Sequence, residues 1–424
     1  MAVSQRVVEA ELGARQSEPR PRFRVLYIVS LFPCWSETFI VREIEELLAR
    51  GVDVRIFSLK ASQEKLVQSD ARALEKYTSY PAGFIQNLFG ALRAIWRDPI
   101  ANFRMLAQIA TDGGMTLPSR LKSLVVWWRV VGAVRWLEAW QPDLIHAHWA
   151  TYPSTGAMML SRILKIPFSF TSHAHDIFLE KHLLKEKLSA ARFAVTISEY
   201  NRRLLLGLQP AAREKLHVIH CGIKPDELTY QEEGRDPSLL LAVGRLDEIK
   251  GFPTLVEACA RLRERGLRFR CEIIGEGPLR QQLQNAIDTN GLGSEVRLCG
   301  AMPHEEVRAR LYRAAVFVLP SVVTMHGNMD GIPVALMEAM ACGTAVVSTT
   351  VSGIPELIED GVNGYLAPPR DARALAERLA SLLEDPGKRN AFARVARERV
   401  EQQFSVVAET GKLQQLFIAS LDGN

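Results

Sequence analysis

The stretch FRVLYIVSLFPCWSETFIVREIEELLARGVDVRIFSL, Phe23 to Leu59, decides the fold class. Phe23 to Ser30 is a short apolar run rich in β-branched residues, Glu37 to Gly51 repeats its apolar residues at helical spacing, and Val52 to Leu59 returns to a strand pattern. Two strands joined through a helix run parallel, and apolar strands without polar alternation are those covered on both faces. A helical stretch from Ser62 to Trp140 interrupts the pattern, which resumes at DLIHAHW (Asp143 to Trp149), PFSFTSHA (Pro167 to Ala174), FAVTIS (Phe193 to Ser198) and LHVIHCG (Leu216 to Gly222).

Beyond the polar segment KPDELTYQEEGRDP (Lys224 to Pro237) the alternation starts again with SLLLAVGR, FRCEIIG, VRLCG, VFVLPS and AVVSTTV, and the chain closes on helical patterns. The expected class is α/β, with two Rossmann-like doubly wound domains facing each other across a cleft. The boundaries are a polar tail at 1–22, a first domain at 23–223 carrying a helical insertion at 62–140, and a linker at 224–237. A second domain follows at 238–400, with a closing helix at 401–424 that returns to the first domain. Open α/β sheets bind ligands outside the carboxyl ends of their strands, so the cleft is where chemistry is expected.

Composition narrows the classes. With 424 residues, 47% hydrophobic and 24% charged, the chain is long enough for two large cores and argues against extensive disorder. The six cysteines are scattered, with no pair at zinc-ligand spacing, and read as buried residues of a reducing compartment. The first 22 residues lack an apolar signal core and no apolar stretch of spanning length follows, which predicts a cytoplasmic chain. Through Lys224 there are 30 basic against 20 acidic residues, and 22 against 28 thereafter. The basic excess lies along helices without stacking aromatics, so nucleic acid is not an expected partner. The block from Phe84 to Trp140, with LRAIWRDPIANFRML and LKSLVVWWRVVGAVRWLEAW, has two readings: an amphipathic surface for the inner face of a membrane, or helices packed on the sheet with arginines outside.

Candidate site residues sit at predicted strand ends. Asp330 and Glu338 are separated by seven residues, with Gly331, Ile332, Pro333 and Val334 opening a helix between them. Amides of such a turn and the positive helix end suit an anionic leaving group, while a capped helix with a solvated Glu338 is the alternative. Arg245 and Lys250 in VGRLDEIKGF stand beyond a strand, placed to neutralise a departing diphosphate or simply solvated. The loop GEGPLR, with Gly275 and Glu276, has a glycine for close backbone approach to a ligand, and backbone near Arg297 and Leu298 is a candidate contact to a base. In the first half, SLFPCWSETFI offers Ser36 or Glu37 as a helix cap with Thr38 beside them, and FTSHAHDIF places His173, His175 and Asp176 at a strand end. Those three make a poor zinc site, and hydrogen bonding to a sugar fits them better; no metal site is expected. His146 and His148 share one side of their strand and read as core histidines or loop support.

Together these residues resemble the retaining GT-B glycosyltransferases of family four (glycosyltransferase group 1). The variant with SETFI, HAHDIF and DGIPVALMEAM resembles the exopolysaccharide or colanic-acid-type subgroup. The resemblance covers Phe23 to Leu421. It implies a metal-independent hexosyl transfer with retention, from a UDP- or GDP-sugar to a saccharide or lipid-linked saccharide, with no cofactor and peripheral contact with the membrane. It assigns the diphosphate to Arg245 and Lys250, the ribose to Glu338, and a phosphate contact to the amides after Asp330. It further assigns the donor sugar to His173 and the acceptor side to Asp176 and the Ser36–Thr38 loop. Asp330 departs from the resemblance, since the first acidic position is commonly Glu. Other readings on the same architecture are a UDP-sugar epimerase or hydrolase, and a non-catalytic nucleotide-sugar-binding subunit.

Overall fold

The computed structural model describes residues 23–34, 37–62 and 69–421. Two parallel sheets organise the chain. The first has seven strands in the order β3-β2-β1-β4-β5-β6-β7 and the second six in the order β10-β9-β8-β11-β12-β13. In the first, β1 is Arg24–Val29, β2 Asp53–Ser58, β3 Thr78–Ser79, β4 Leu144–His148, β5 Phe168–Ser172, β6 Phe193–Thr196 and β7 Leu216–Val218. In the second, β8 is Asp236–Val243, β9 Arg270–Ile274, β10 Val296–Gly300, β11 Ala314–Val318, β12 Ala345–Thr349 and β13 Tyr365–Ala367. Every pairing is parallel, and each sheet reverses its winding beside its first strand, the doubly wound pattern whose crevice lies at that switch.

The opening βαβ unit shows why these residues form these elements. Helix Thr38–Ala49 buries Ile40, Val41, Ile44 and Leu47 as one stripe against the sheet, then stops where Gly51 takes a left-handed φ of 84°. Strands β4 and β5 are buried at every position, their polar residues His146, His148, Ser169, Thr171 and Ser172 included, as strands covered on both faces are.

The structure differs from the expected boundaries in three places. The second sheet begins at Asp236, inside the polar segment, because β8 pairs its first residue with β11. The insertion is not wholly helical, since Thr78–Ser79 adds a parallel edge strand beside β2. The return to the first domain occurs at Phe404 and Ser405, where Ser405 bridges Ile223, rather than at 401. Helix Val406–Leu421 then packs on helix Thr38–Ala49 and places Leu413 and Phe417 in the core with Val25 and Tyr27. Full burial of each such side chain is worth about 1.5–3 kcal/mol, which ties the chain's end to its beginning.

Among the described residues no helix is long and apolar enough to cross a membrane.

Candidate active site

The second-sheet wall is built from loops at the carboxyl ends of β8 and β11. Beyond β8 the chain makes a short turn, Glu248–Lys250, that aims Lys250 back over the sheet edge. Its Nζ donates to Asp330 Oδ1 at 2.8 Å, and the Ser321 hydroxyl, three residues past Val318 at the end of β11, donates to Asp330 Oδ2 at 2.6 Å. Both carboxylate oxygens are therefore engaged, and Asp330 does not cap the helix. The N-cap position of helix Val334–Ala341 is Pro333, without a side-chain cap. The short aspartate reaches a cation and a hydroxyl on neighbouring loops, which organises Lys250. Arg245 is not drawn into this group: its side chain is 72% exposed and lies 3.7 Å from Asp247.

Glu338 is buried, not solvated. Its Oε1 accepts from Arg42 Nη2 at 2.9 Å and from His304 Nε2 at 3.3 Å. Its Oε2 takes no hydrogen bond among the described residues, which leaves an acceptor for a ligand hydroxyl. Burial pushes the carboxyl up, but the His304 hydrogen bond and the Arg42 charge outweigh it and hold Glu338 below the ordinary value. Arg42 belongs to helix Thr38–Ala49, so this ion pair spans the cleft. Arg42, His304, Thr38, Lys224 and Arg308 line a cavity of about 420 Å³ between the two halves.

The opposite wall carries a chain of buried polar groups. Tyr27 Oη donates to Glu43 Oε1 at 2.7 Å, and the same oxygen lies 2.9 Å from His148 Nε2. His148 Nδ1 is 3.1 Å from His173 Nε2, and His173 Nδ1 is 3.8 Å from Cys221 Sγ. Burial holds His173 well below the ordinary imidazole value, so it is neutral at neutral pH. Both its ring nitrogens are occupied within the protein, and the ring is packed between Phe39 and Trp149. Glu43, His146 and His148 bring ligand-type atoms within 4.8 Å of one another. The ring nitrogens of both imidazoles are already engaged, His146 by Ser169 and Thr171 and His148 by His173 and Glu43. His146 and His148 thus form the support that the alternation along β4 suggests.

Asp176 is fully buried and accepts from the backbone N–H groups of Ala150, at 2.6 Å, and His173, at 3.0 Å. Burial raises its carboxyl to about 6. Lys187, buried as well, donates to the carbonyls of Ala150 and Thr151, both at 2.7 Å. Asp176 therefore clamps the two strand-end loops that carry Trp149 and His173 and offers no oxygen to an acceptor. Glu37 occupies the N-cap position but makes no capping bond; it accepts from Trp149 Nε1 at 3.0 Å instead. Thr38 lies in the cleft cavity, and Ser36 falls outside the described residues.

Gly331 explains how the walls meet. A Cβ on it would lie 2.6 Å from Ile197 Cδ1 and 3.8 Å from the Ala174 Cβ, so the turn of Gly331, Ile332, Pro333 and Val334 packs directly on the residue after His173. Gly275 is required by the fold: it has φ +147° and its added Cβ would meet the Gly244 carbonyl oxygen at 1.9 Å. Glu276 is exposed and bonds Arg280. Arg297 and Leu298 lie on β10, an edge strand whose outer backbone groups have no neighbouring strand.

Arg42, His304, Glu43 and Tyr27 enter the site without a sequence signal. Arg42 lies 296 residues from its partner on an ordinary helix, and no local spacing reports that contact. Ser321, which also enters the site, alone had a cue, a hydroxyl three residues beyond the buried strand Ala314–Val318.

Known proteins resemble this chain in sequence and in fold. Residues 36–227 match the family model Glycosyltransferase Family 4, and residues 226–399 match Glycosyl transferases group 1. An Escherichia coli (strain K12) protein provisionally named the colanic acid biosynthesis glycosyltransferase WcaL is 43% identical over 90% of this chain and 96% of its own length. The amylovoran biosynthesis glycosyltransferase AmsK of Erwinia amylovora is 32% identical over 90% and 96%. The structure of sucrose-phosphate synthase from Thermosynechococcus elongatus superposes with a TM-score of 0.71 at 20% identity, covering 95% of this chain and all of that one. HepE of Anabaena, solved with UDP and glucose, gives 0.68 at 18% identity, covering 94% and all of that chain. The two parallel sheets are the GT-B architecture, and the chain belongs to the group 1, family 4 glycosyltransferases.

Proposed function

We propose that this chain is a retaining, metal-independent hexosyltransferase that takes its sugar from a UDP- or GDP-sugar and delivers it to a saccharide or lipid-linked saccharide in exopolysaccharide synthesis. The observation that carries the reading is the juxtaposition of two groups. Lys250 is held by Asp330 beside the opening of helix Val334–Ala341, and Glu338, with an open Oε2, lies in the same helix. A diphosphate between Lys250 and the turn amides has its developing charge stabilised by fixed donors. Arg245, free to swing, closes on it from solvent. Glu338 Oε2 accepts from a ribose hydroxyl. The wall of His173 and Trp149 bounds the sugar where Gly331 meets Ala174.

In the reaction the bond from the anomeric carbon to the diphosphate oxygen breaks. The bond to the acceptor oxygen forms on the same face, and the acceptor's proton passes to the departing diphosphate. Lys250 and Arg245 neutralise that leaving group, the role a metal fills in other transferases. The exopolysaccharide assignment is supported by the names of the WcaL and AmsK relatives, and the UDP part of the donor class by the UDP complex of HepE.

The test is release of nucleoside diphosphate from a panel of UDP- and GDP-hexoses in EDTA, with saccharide and lipid-extract acceptors, and mass spectrometry of the product. Turnover in EDTA is expected, and an absolute requirement for a divalent cation refutes metal independence. Lys250→Ala is expected to lower kcat by about 100- to 1,000-fold while the circular dichroism spectrum is kept. Unchanged kcat removes Lys250 from the mechanism.

A further inference from the structure

We infer that Glu43 is a positioning residue: acting through His148, it fixes which nitrogen of His173 carries the proton and holds that ring in the wall where, on the function proposed above, the transferred sugar lies. The consequence for turnover rests on that reading, whereas the hydrogen-bond chain rests on distances within the first domain. Glu43 follows Arg42 on helix Thr38–Ala49, about 100° around its axis. Arg42 turns to the cleft and Glu338, and Glu43 turns to the carboxyl end of β4, where its Oε1 meets His148 Nε2 at 2.9 Å. The same oxygen accepts from Tyr27 Oη at 2.7 Å, so the hydroxyl of a fully buried tyrosine on β1 anchors the carboxylate. The Tyr27 ring also stacks on His148, centroids 5.7 Å apart, and His148 lies nearly parallel to His173 at 26°. One stack of rings and one line of hydrogen bonds thus run from Glu43 to His173.

The order of donors along the line follows from its two ends. A carboxylate has no proton to give, so His148 Nε2 donates to Glu43 and, in a neutral ring, Nδ1 is left bare. His173 Nε2, 3.1 Å from that bare nitrogen, must donate to it, which leaves His173 Nδ1 bare in turn. At the far end burial pushes the Cys221 thiol well above its ordinary value, so Sγ keeps its proton and lies 3.8 Å from Nδ1, a donor facing an acceptor. The opposite order needs one more proton on the two rings, in a wall where burial already holds His146 and His173 neutral. Hydrogen bonds behind an imidazole set its tautomer and the orientation of its plane. His173 is packed against Phe39 and Trp149, with centroids at 4.7 and 4.5 Å, so a ring released by Glu43 shifts Trp149 with it. Lys250 and Glu338 stand on the second sheet's side of the cleft, so such a shift misplaces the sugar more than the nucleotide.

The experiment labels the histidines of the full chain with nitrogen-15 and reads their ring nitrogens by long-range proton–nitrogen correlation, His148→Gln and His173→Gln identifying the two rings by loss of their signals. In the wild type near neutral pH both rings are expected to carry the proton on Nε2 with Nδ1 bare. In Glu43→Ala, His173 is expected to show a mixture of tautomers. Its kcat for donor turnover should fall about ten- to hundredfold, while affinity for UDP or GDP stays within about threefold of wild type. Glu43→Gln keeps an oxygen that can accept from Tyr27 and His148, and should recover part of that loss. The proposal is overturned by a proton on His173 Nδ1 in the wild type, by a Glu43→Ala kcat within about threefold of wild type, or by nucleotide affinity that falls in parallel with kcat. It is also overturned if Glu43→Gln is no faster than Glu43→Ala. Should Glu43→Ala not fold, the wild-type tautomers and a Glu43→Gln that turns over faster than His173→Gln support the proposal, and one that is no faster overturns it. A wild type that turns over no donor defeats the transferase reading, and the tautomers, read without turnover, then decide the hydrogen-bond chain by themselves.

Discussion

Replacing Glu338 by Gln separates a ligand-binding carboxylate from a structural one. The side chain is 12% exposed, and its two ion-pair partners both reach Oε1. Gln keeps the volume. It can preserve an acceptor toward Arg42 and His304 only by turning its amide oxygen to them, which puts an NH₂ group where Oε2 had been. The acceptor for a ribose hydroxyl is then lost in the orientation the protein itself favours. A hydrogen bond to a charged group contributes about 1.5–3 kcal/mol, and about 1.4 kcal/mol is tenfold in Kd, so nucleoside diphosphate affinity should fall about ten- to hundredfold. Isothermal titration with UDP and GDP measures this, and a retained thermal unfolding midpoint shows that the cleft survives. Arg42→Ala disturbs only Oε1 and is expected to weaken binding by less than about tenfold on the same scale. A Kd for Glu338→Gln within about threefold of wild type, for each nucleotide the wild type binds, refutes the role given to Oε2.

Two further perturbations read the architecture. Asp176→Asn replaces an acceptor of two backbone N–H groups by an amide that presents hydrogens to one of them, and should cost about 1–3 kcal/mol in urea unfolding; no loss means Asp176 does not clamp the strand-end loops. His220, after β7, lies 3.7 Å from Glu356 and 3.6 Å from Glu409, joining the first sheet to the second domain and to the closing helix. Burial lowers its pKa, but the nearby Glu356 and Glu409 carboxylates outweigh that and raise it above 6.5. Its contribution is fully present below 6.5 and is lost as pH rises through the folded value. The depressed values of Glu356 and Glu409 make their contribution present above 4.5 and lost on acidification. Stability of wild type should therefore decline as pH rises above 6.5 and through the raised folded value of His220, and His220→Asn should flatten that decline; parallel profiles for the two proteins sink the assignment.

The fold was legible because both sheets are local repeats. Each strand is a short β-branched run, each helix shows its own apolar period, and parallel connection follows from the intervening helix. The edge strand Thr78–Ser79 was not legible, because two residues carry no period and are ordered by pairing with Ile56 and Phe57. In the site, Lys250 and Asp330 were visible as polar residues in loops beyond strands, and Glu338 as an acidic residue in the helix that follows Asp330. The roles of Asp176 and His173 were not, since HAHDIF gives no sign that the aspartate is buried under two backbone N–H groups or that both imidazole nitrogens are taken.

By itself the sequence determined the two doubly wound units, the family and the loops that face the cleft, since these depend on periodicity and on residue types at the ends of strands. Tertiary structure alone decided which charges meet. Arg42 finds Glu338, Lys250 finds Asp330, and His220 joins Glu356 to Glu409, because folding brings loops far apart in the chain to one low-dielectric crevice. Electrostatic partners are set by distance and burial, and neither is a property of neighbouring residues along the chain.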